Sequence, residues 1–158
     1  MASSPARTQG EMAEQLGLSQ PEISNALRRL KASQLVLQDA REPNIPNLLE
    51  FCEHGVRYAF AVQAGGPKRG LPTGSLASPL KEKLSGDEGA LVWASPDGPA
   101  RAPSLEPLHP CVLHAAQRDA KLYRMLSLLD GIRVGRNRMR KVAAELLAQE
   151  FAARGPMP

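Results

Sequence analysis

TQGEMAEQLGLSQPEISNALRRL, residues 8–30, holds two Thr/Ser-x-x-Glu boxes eleven residues apart, Thr8-Gln9-Gly10-Glu11 and Ser19-Gln20-Pro21-Glu22. In such a box the hydroxyl accepts from the third helical N–H and the glutamate reaches back to the cap, so each box starts a helix. Two starts this close leave room for one short helix, a tight turn at Gly17-Leu18 and a second helix, which is the layout of a helix-turn-helix. Met12, Ala13 and Leu16 line one side of the first helix; Ile23, Ala26, Leu27 and Leu30 follow helical spacing on the second. Ala13 is small where the helices would cross, and Gly17 sits where the first helix must end in a left-handed residue.

From Gln9 to Arg28 the chain resembles the helix-turn-helix superfamily of transcription regulators, and MAEQLGLSQPEISNALRRL is similar to the MarR-type winged-helix version. The resemblance covers about a fifth of the chain. It implies a homodimer that reads double-stranded DNA with the N-terminal end of the second helix in the major groove. With the apolar stripe removed, that helix leaves Ser19, Gln20, Pro21, Ser24, Asn25 and Arg28 on its outer face. Gln and Asn can pair bidentately with adenine and Arg with guanine, which makes Gln20, Ser24, Asn25 and Arg28 candidate base contacts. Gln9 joins the candidate DNA-binding set from the first helix. Arg29 and Lys31, nearer the helix end, are placed for phosphates, which position the protein without reading sequence. An ordinary helical hairpin with a solvated polar face is the alternative for the same residues.

A full winged helix is less evident. Leu35-Val36-Leu37-Gln38 reads as a first wing strand and Asp39-Ala40-Arg41-Glu42 as a turn, but Pro43-Asn44-Ile45-Pro46 breaks the run before a second strand. Only Met1 to Arg7 precede the first box, too few for the helix that supports the motif in that family. The exposed side of the pair is therefore expected to be covered by preceding chain, another segment or a second subunit.

The expected class is mostly α with a small β component: a winged-helix-like head in residues 1–46, an irregular middle region in 47–110 and a C-terminal helical region in 111–158. In the middle, NLLEFCEHGVRYAF predicts a core helix weakened at Gly55, Gly65 to Gly74 a Gly/Pro-rich loop, Pro79 to Leu84 a helical turn, and Ala90 to Ala94 a strand closed by Ser95-Pro96-Asp97-Gly98. Pro99 to Pro110, with four prolines, reads as an extended linker. Helices are expected over Val112–Arg118, Ala120–Val134 behind an Asp119 cap, and Arg136–Ala153. Their stripes are Leu122, Met125, Leu126, Leu129 and Ile132, then Met139, Val142, Ala143, Leu146 and Leu147.

The 158 residues are 42% hydrophobic and 4% aromatic, so the core must be mainly aliphatic. The net charge is +4, but residues 118–141 carry eight cations against Asp119 and Asp130, a net +6, which leaves the rest at −2. Within that stretch Arg133, Arg136, Arg138, Arg140 and Lys141 are candidate contacts to a nucleic-acid backbone or an acidic protein partner, as an antitoxin or accessory subunit would make. A solvated helix face is the plainer use of the same charges.

No apolar run approaches a membrane span and the N-terminus has no signal-peptide core, so a cytoplasmic protein without membrane contact is expected. Cys52 and Cys111 suit reduced thiols. Cys52, His54, His109, Cys111 and His114 lack the repeated spacing of a structural zinc site, and the Lys68-Arg69 loop lacks the spacing of a P-loop. The expectation is therefore no metal, no cofactor and no catalysis. The functional expectation is a sequence-specific repressor.

Overall fold

A computed structural model describes residues 7–39, 41–85 and 88–153. The fold is mostly α with one small sheet. α1 (Gln9–Leu16) and α2 (Gln20–Ala32) form the N-terminal pair, and α3 (Ile45–Glu50), a π-helical turn (Phe51–Gly55) and α4 (Val56–Ala59) form one continuous helical run. Then come β1 (Pro67–Gly74), α5 (Leu80–Lys83), β2 (Ala90–Ala94), β3 (Ala100–Pro103), α6 (Val112–Arg118), α7 (Ala120–Val134) and α8 (Asn137–Ala152). The Asp119 side chain accepts from Leu122 N and starts α7, as its position predicts. Among the described residues no helix is long and apolar enough to cross a membrane.

Two segments depart from the expectation. The Gly/Pro-rich stretch is not a loop: it is the middle strand of an antiparallel sheet ordered β2-β1-β3. β3 pairs with Pro67 to Gly70 and β2 with Gly70 to Gly74, so β1 has neighbours on both sides only at Gly70. Pro67 opens the strand and Pro72 has a partner on one side alone, the positions where a missing N–H is tolerated. The expected linker is likewise structural. Within it β3 pairs with β1, Val92 bridges Ser104 in parallel, and Leu105, only 2% exposed, donates its N–H to the Val92 carbonyl. The two outer strands are thereby drawn together; a Cβ on Gly98 would collide with the Gly70 backbone, and one on Gly70 with the Trp93 carbonyl.

The main core joins Cys52 and Val56 of the middle helical run and Leu80 of α5 to Met125, Leu128 and Ile132 of α7 and Met139, Ala143 and Leu147 of α8. The middle and C-terminal regions thus share one core. A second cluster sets Trp93 against Val112 and Ala116 of α6, with Tyr123 tilted on the indole at 5.7 Å. Of the α7 stripe, Met125 and Ile132 are buried while Leu122, Leu126 and Leu129 are half-buried; Leu128, fully buried, belongs with them.

Arg133, a candidate for backbone or partner contact from its place in the basic stretch, is buried instead, with only 4% of its side chain exposed. Its Nη1 donates to Asp130 Oδ1 at 2.8 Å and to the Glu106 carbonyl at 3.3 Å, and its Nε donates to the Phe60 carbonyl at 3.2 Å. The other Asp130 oxygen accepts from Thr73 Oγ1 at 2.8 Å and Trp93 Nε1 at 2.7 Å. Burial pushes the Asp130 carboxyl above the usual carboxylate range, against the pull of Thr73, Arg133 and Trp93 in the other direction. Arg133→Met should cost about 3–5 kcal/mol in urea unfolding, because it strands a buried carboxylate. A loss under about 1 kcal/mol would mean that Thr73 and Trp93 hold Asp130 without the ion pair.

Candidate nucleic-acid interface

Both boxes form in full. Glu11 N donates to Thr8 Oγ1 at 3.2 Å while Glu11 Oε2 accepts from Thr8 N at 2.7 Å. Glu22 N donates to Ser19 Oγ at 3.4 Å, and Glu22 Oε2 accepts from Ser19 N at 2.8 Å and Ser19 Oγ at 2.7 Å. Gly17, at φ 66°, ends α1 in the left-handed region that glycine enters freely. Ala13 and Ile23 are buried between the helices, with Leu27 and Leu30 half-buried beside them.

One side of this pair is covered by α6. The His114 ring lies so close to Gly17 that a Cβ there would sit 2.9 Å from it, and Arg118 Nη1 donates to the Glu14 carbonyl at 3.3 Å. The His114 ring, exposed on its other side, thus lies against Gly17, and His109 Nδ1 accepts from Cys111 N at 3.2 Å. Among the described residues no group of three or more His, Cys, Asp or Glu side chains is placed to hold a metal. The buried Cys52 thiol is pushed up to about 11 by desolvation.

In place of wing strands the described residues of this segment form a single bridge, Val36 to Pro43. Leu37 N donates to the Glu42 carbonyl and Asn44 N to the Leu35 carbonyl, both at 2.9 Å. Pro43 therefore occupies a pair position that needs no N–H. The hairpin is fastened to α2 by a reciprocal clasp: Lys31 Nζ donates to the Gln38 carbonyl at 2.9 Å, and Gln38 Nε2 to the Lys31 carbonyl at 2.7 Å.

Between α1, α2 and this hairpin lies an open groove of about 470 Å³, floored by Leu27 and Ala32 and edged by Gln9, Ser24, Arg28, Lys31, Gln38 and Arg41. It gathers four of the expected DNA-binding residues, Gln9, Ser24, Arg28 and Lys31. The others stand elsewhere. The Ser19 hydroxyl is committed to its box, Gln20 reaches over Gly10, and Pro21 and Arg29 are exposed outside the groove. Asn25 uses Oδ1 to accept from Arg28 Nη2 at 3.0 Å, so it orients a guanidinium. Arg41, whose Nη1 also donates to the Arg7 carbonyl at 3.2 Å, was legible only as part of a turn. Its place in the groove depends on how the hairpin folds back on α2.

The basic C-terminal stretch does not form one surface. Arg118 caps α1, Arg124 grips Glu150 at 3.0 and 3.2 Å, and Arg133 is buried. Arg136, Arg138 and Lys141 are exposed at the start of α8, Arg140 is half-buried, and Arg136 stands 3.9 Å from Glu88. No protein-family model, curated protein or solved structure matches the chain.

The caps carry a pH signature. Hydrogen bonds from the Thr8 backbone and hydroxyl hold the Glu11 carboxyl below its ordinary value of 4.5, and those from the Ser19 hydroxyl and backbone do the same for Glu22. A depressed carboxyl contributes stability that is complete above the unfolded value and disappears as pH falls through the lowered folded one. Amide shifts of Glu11 and Glu22, followed by NMR below pH 4.5, should show the caps opening. In Glu11→Gln with Glu22→Gln that transition should vanish; its persistence would assign it to another group.

Proposed function

We propose that the chain is a sequence-specific reader of double-stranded DNA that acts as a transcriptional regulator. Repression by occupying an operator as a homodimer is the specific form. The observation that carries this reading is the groove at α2, which sets Ser24 and Arg28 beside Gln9, Lys31 and Arg41 with no carboxylate among its lining residues. Arg28, forked and held by Asn25, has the donor pattern for guanine O6 and N7. Lys31 and Arg41 have the charge for phosphates on either side. The MarR-type resemblance in residues 9–28 supports the same reading, as does the formation of both capping boxes. Two copies would place two heads on symmetric half-sites, and a cytosolic location fits such a role.

A second reading has its own observation. The start of α8 carries Arg136, Arg138 and Lys141 exposed, with no acidic residue in the first turn. Cations are unfavourable at that end of a helix dipole, so an acidic protein partner would relieve them. The chain would then be an accessory subunit or antitoxin.

A selection on random duplexes, with the mass of the free protein, tests both. Arg28→Ala should weaken the selected site by roughly 5- to 150-fold, from about 1–3 kcal/mol of base discrimination removed. Arg28→Lys should keep the salt dependence and lose the guanine preference, because a point charge replaces a fork. Unchanged duplex binding in Asn25→Ala with Arg28→Ala would exclude the head as the reader. Loss of binding in Arg136→Ala with Arg138→Ala instead would shift the function to α8.

A further inference from the structure

Outside the head, one surface is built against its own electrostatics. β1 and β3 pair from Pro67↔Pro103 to Gly70↔Ala100, and in that register Arg69 stands directly opposite Arg101. Directly opposed residues of an antiparallel pair lie about 4.5–5.5 Å apart and share a face, where like charges are destabilising. Lys68, the next residue along β1, adds a third cation on the other face. Residues 67–69 and Arg101 are exposed, whereas β1 is buried or half-buried from Gly70 onward.

No carboxylate among the described residues pairs with these charges. Arg69 Nη1 donates to the Gly98 carbonyl at 3.2 Å, which orients the guanidinium and leaves its charge in place. Among the described residues no ion pair involves Lys68, Arg69 or Arg101, although Asp97 lies in the adjoining turn. The ribbon is also tied at its open end, where Gly65 N donates to the Ser104 carbonyl at 2.8 Å and Ser104 N to the Gly66 carbonyl at 3.1 Å. The backbone positions of two opposed, exposed arginines are therefore fixed on a braced ribbon.

We infer that this ribbon binds the phosphate backbone of double-stranded DNA at a place separate from the head. A row of phosphates relieves both arginines at once, and a forked guanidinium matches phosphate geometry. The choice of duplex over an acidic polypeptide rests on the function proposed for the head. The ribbon supplies affinity without base preference.

The test is the salt dependence of binding of the full chain to a duplex of mixed sequence, read by fluorescence anisotropy, with Arg69→Gln and Arg101→Gln combined. Each cation withdrawn from a phosphate lowers the slope of log K against log salt by about 0.9, so the slope should fall by about two. The deficit relative to the parent should then shrink by roughly tenfold between about 50 and about 200 mM salt, with the selected site sequence unchanged. The thermal midpoint should stay equal or rise, since a repulsion is removed, and this confirms that the variant folds. An unchanged slope overturns the inference, as does a loss of binding to polyglutamate with duplex binding intact. Asn25→Ala with Arg28→Ala separates the two claims. If that pair leaves duplex binding intact while the ribbon variant weakens it, the head fails as reader and the ribbon stands; the opposite result sinks the ribbon and keeps the head.

Discussion

The ion pair between Asp130 and Arg133 is the constraint on which the body of this protein is arranged. Both side chains are almost wholly removed from water, 2% and 4% exposed, and charges so placed are tolerable only when every polar atom finds a partner. The partners come from β1 (Thr73), β2 (Trp93), the end of α4 (Phe60 carbonyl) and the segment after β3 (Glu106 carbonyl). Four other parts of the chain are thus held to one turn of α7. The sheet itself is weak by composition, with two prolines and two glycines in its eight-residue middle strand. Its attachment to α7, through Thr73 and through the Tyr123 hydroxyl donating to the Pro72 carbonyl at 2.6 Å, gives that strand an anchor that its own ladder does not.

The head inherits its orientation from this body through α6. One side of α6 packs Val112 and Ala116 on Trp93, whose indole N–H is held by Asp130. Another side presents His114 to Gly17 and lies next to Arg118, which reaches the Glu14 carbonyl. The first helix of the head therefore rests on a helix about a hundred residues later, and the path from buried ion pair to the N-terminal pair runs Asp130, Trp93, α6, α1. The support for the N-terminal pair thus comes from the chain's own C-terminal half.

What the sequence made legible were the elements whose cause is local. Each capping box sits within four residues, Gly17 needs no distant partner to end a helix, and Asp119 and the apolar stripes of α7 and α8 follow from spacing. β1 was illegible because Pro67 and Pro72 argue against a strand unless one knows that β3 leaves where β2 begins, and that is a fact of pairing between residues far apart in the chain. Asp130 and Arg133 look like an exposed i,i+3 pair on a charged helix. Only the sheet laid over them turns the pair into a core element. The groove was half legible: Arg28 and Lys31 follow from helical phase, whereas Arg41 depends on the Lys31–Gln38 clasp, and the role of Asn25 depends on a side-chain bond that spacing does not specify.

Net charge is a poor guide to where this protein could meet an anion. The most basic stretch, residues 118–141, spends Arg118, Arg124 and Arg133 on internal bonds, so much of its +6 never reaches a common surface. The head and the ribbon, which lie in the part that sums to −2, expose fewer cations but hold them in fixed geometry: Arg28 on Asn25, Lys31 on Gln38, Arg69 against Arg101. Recognition of a polyanion depends on the spacing and freedom of charges more than on their number, since each flexible side chain must be ordered before it contributes. By that measure the small basic surfaces with fixed spacing are the stronger candidates for an anion, while three of the six arginines in the richer run tie the head, the sheet and the α7–α8 pair together.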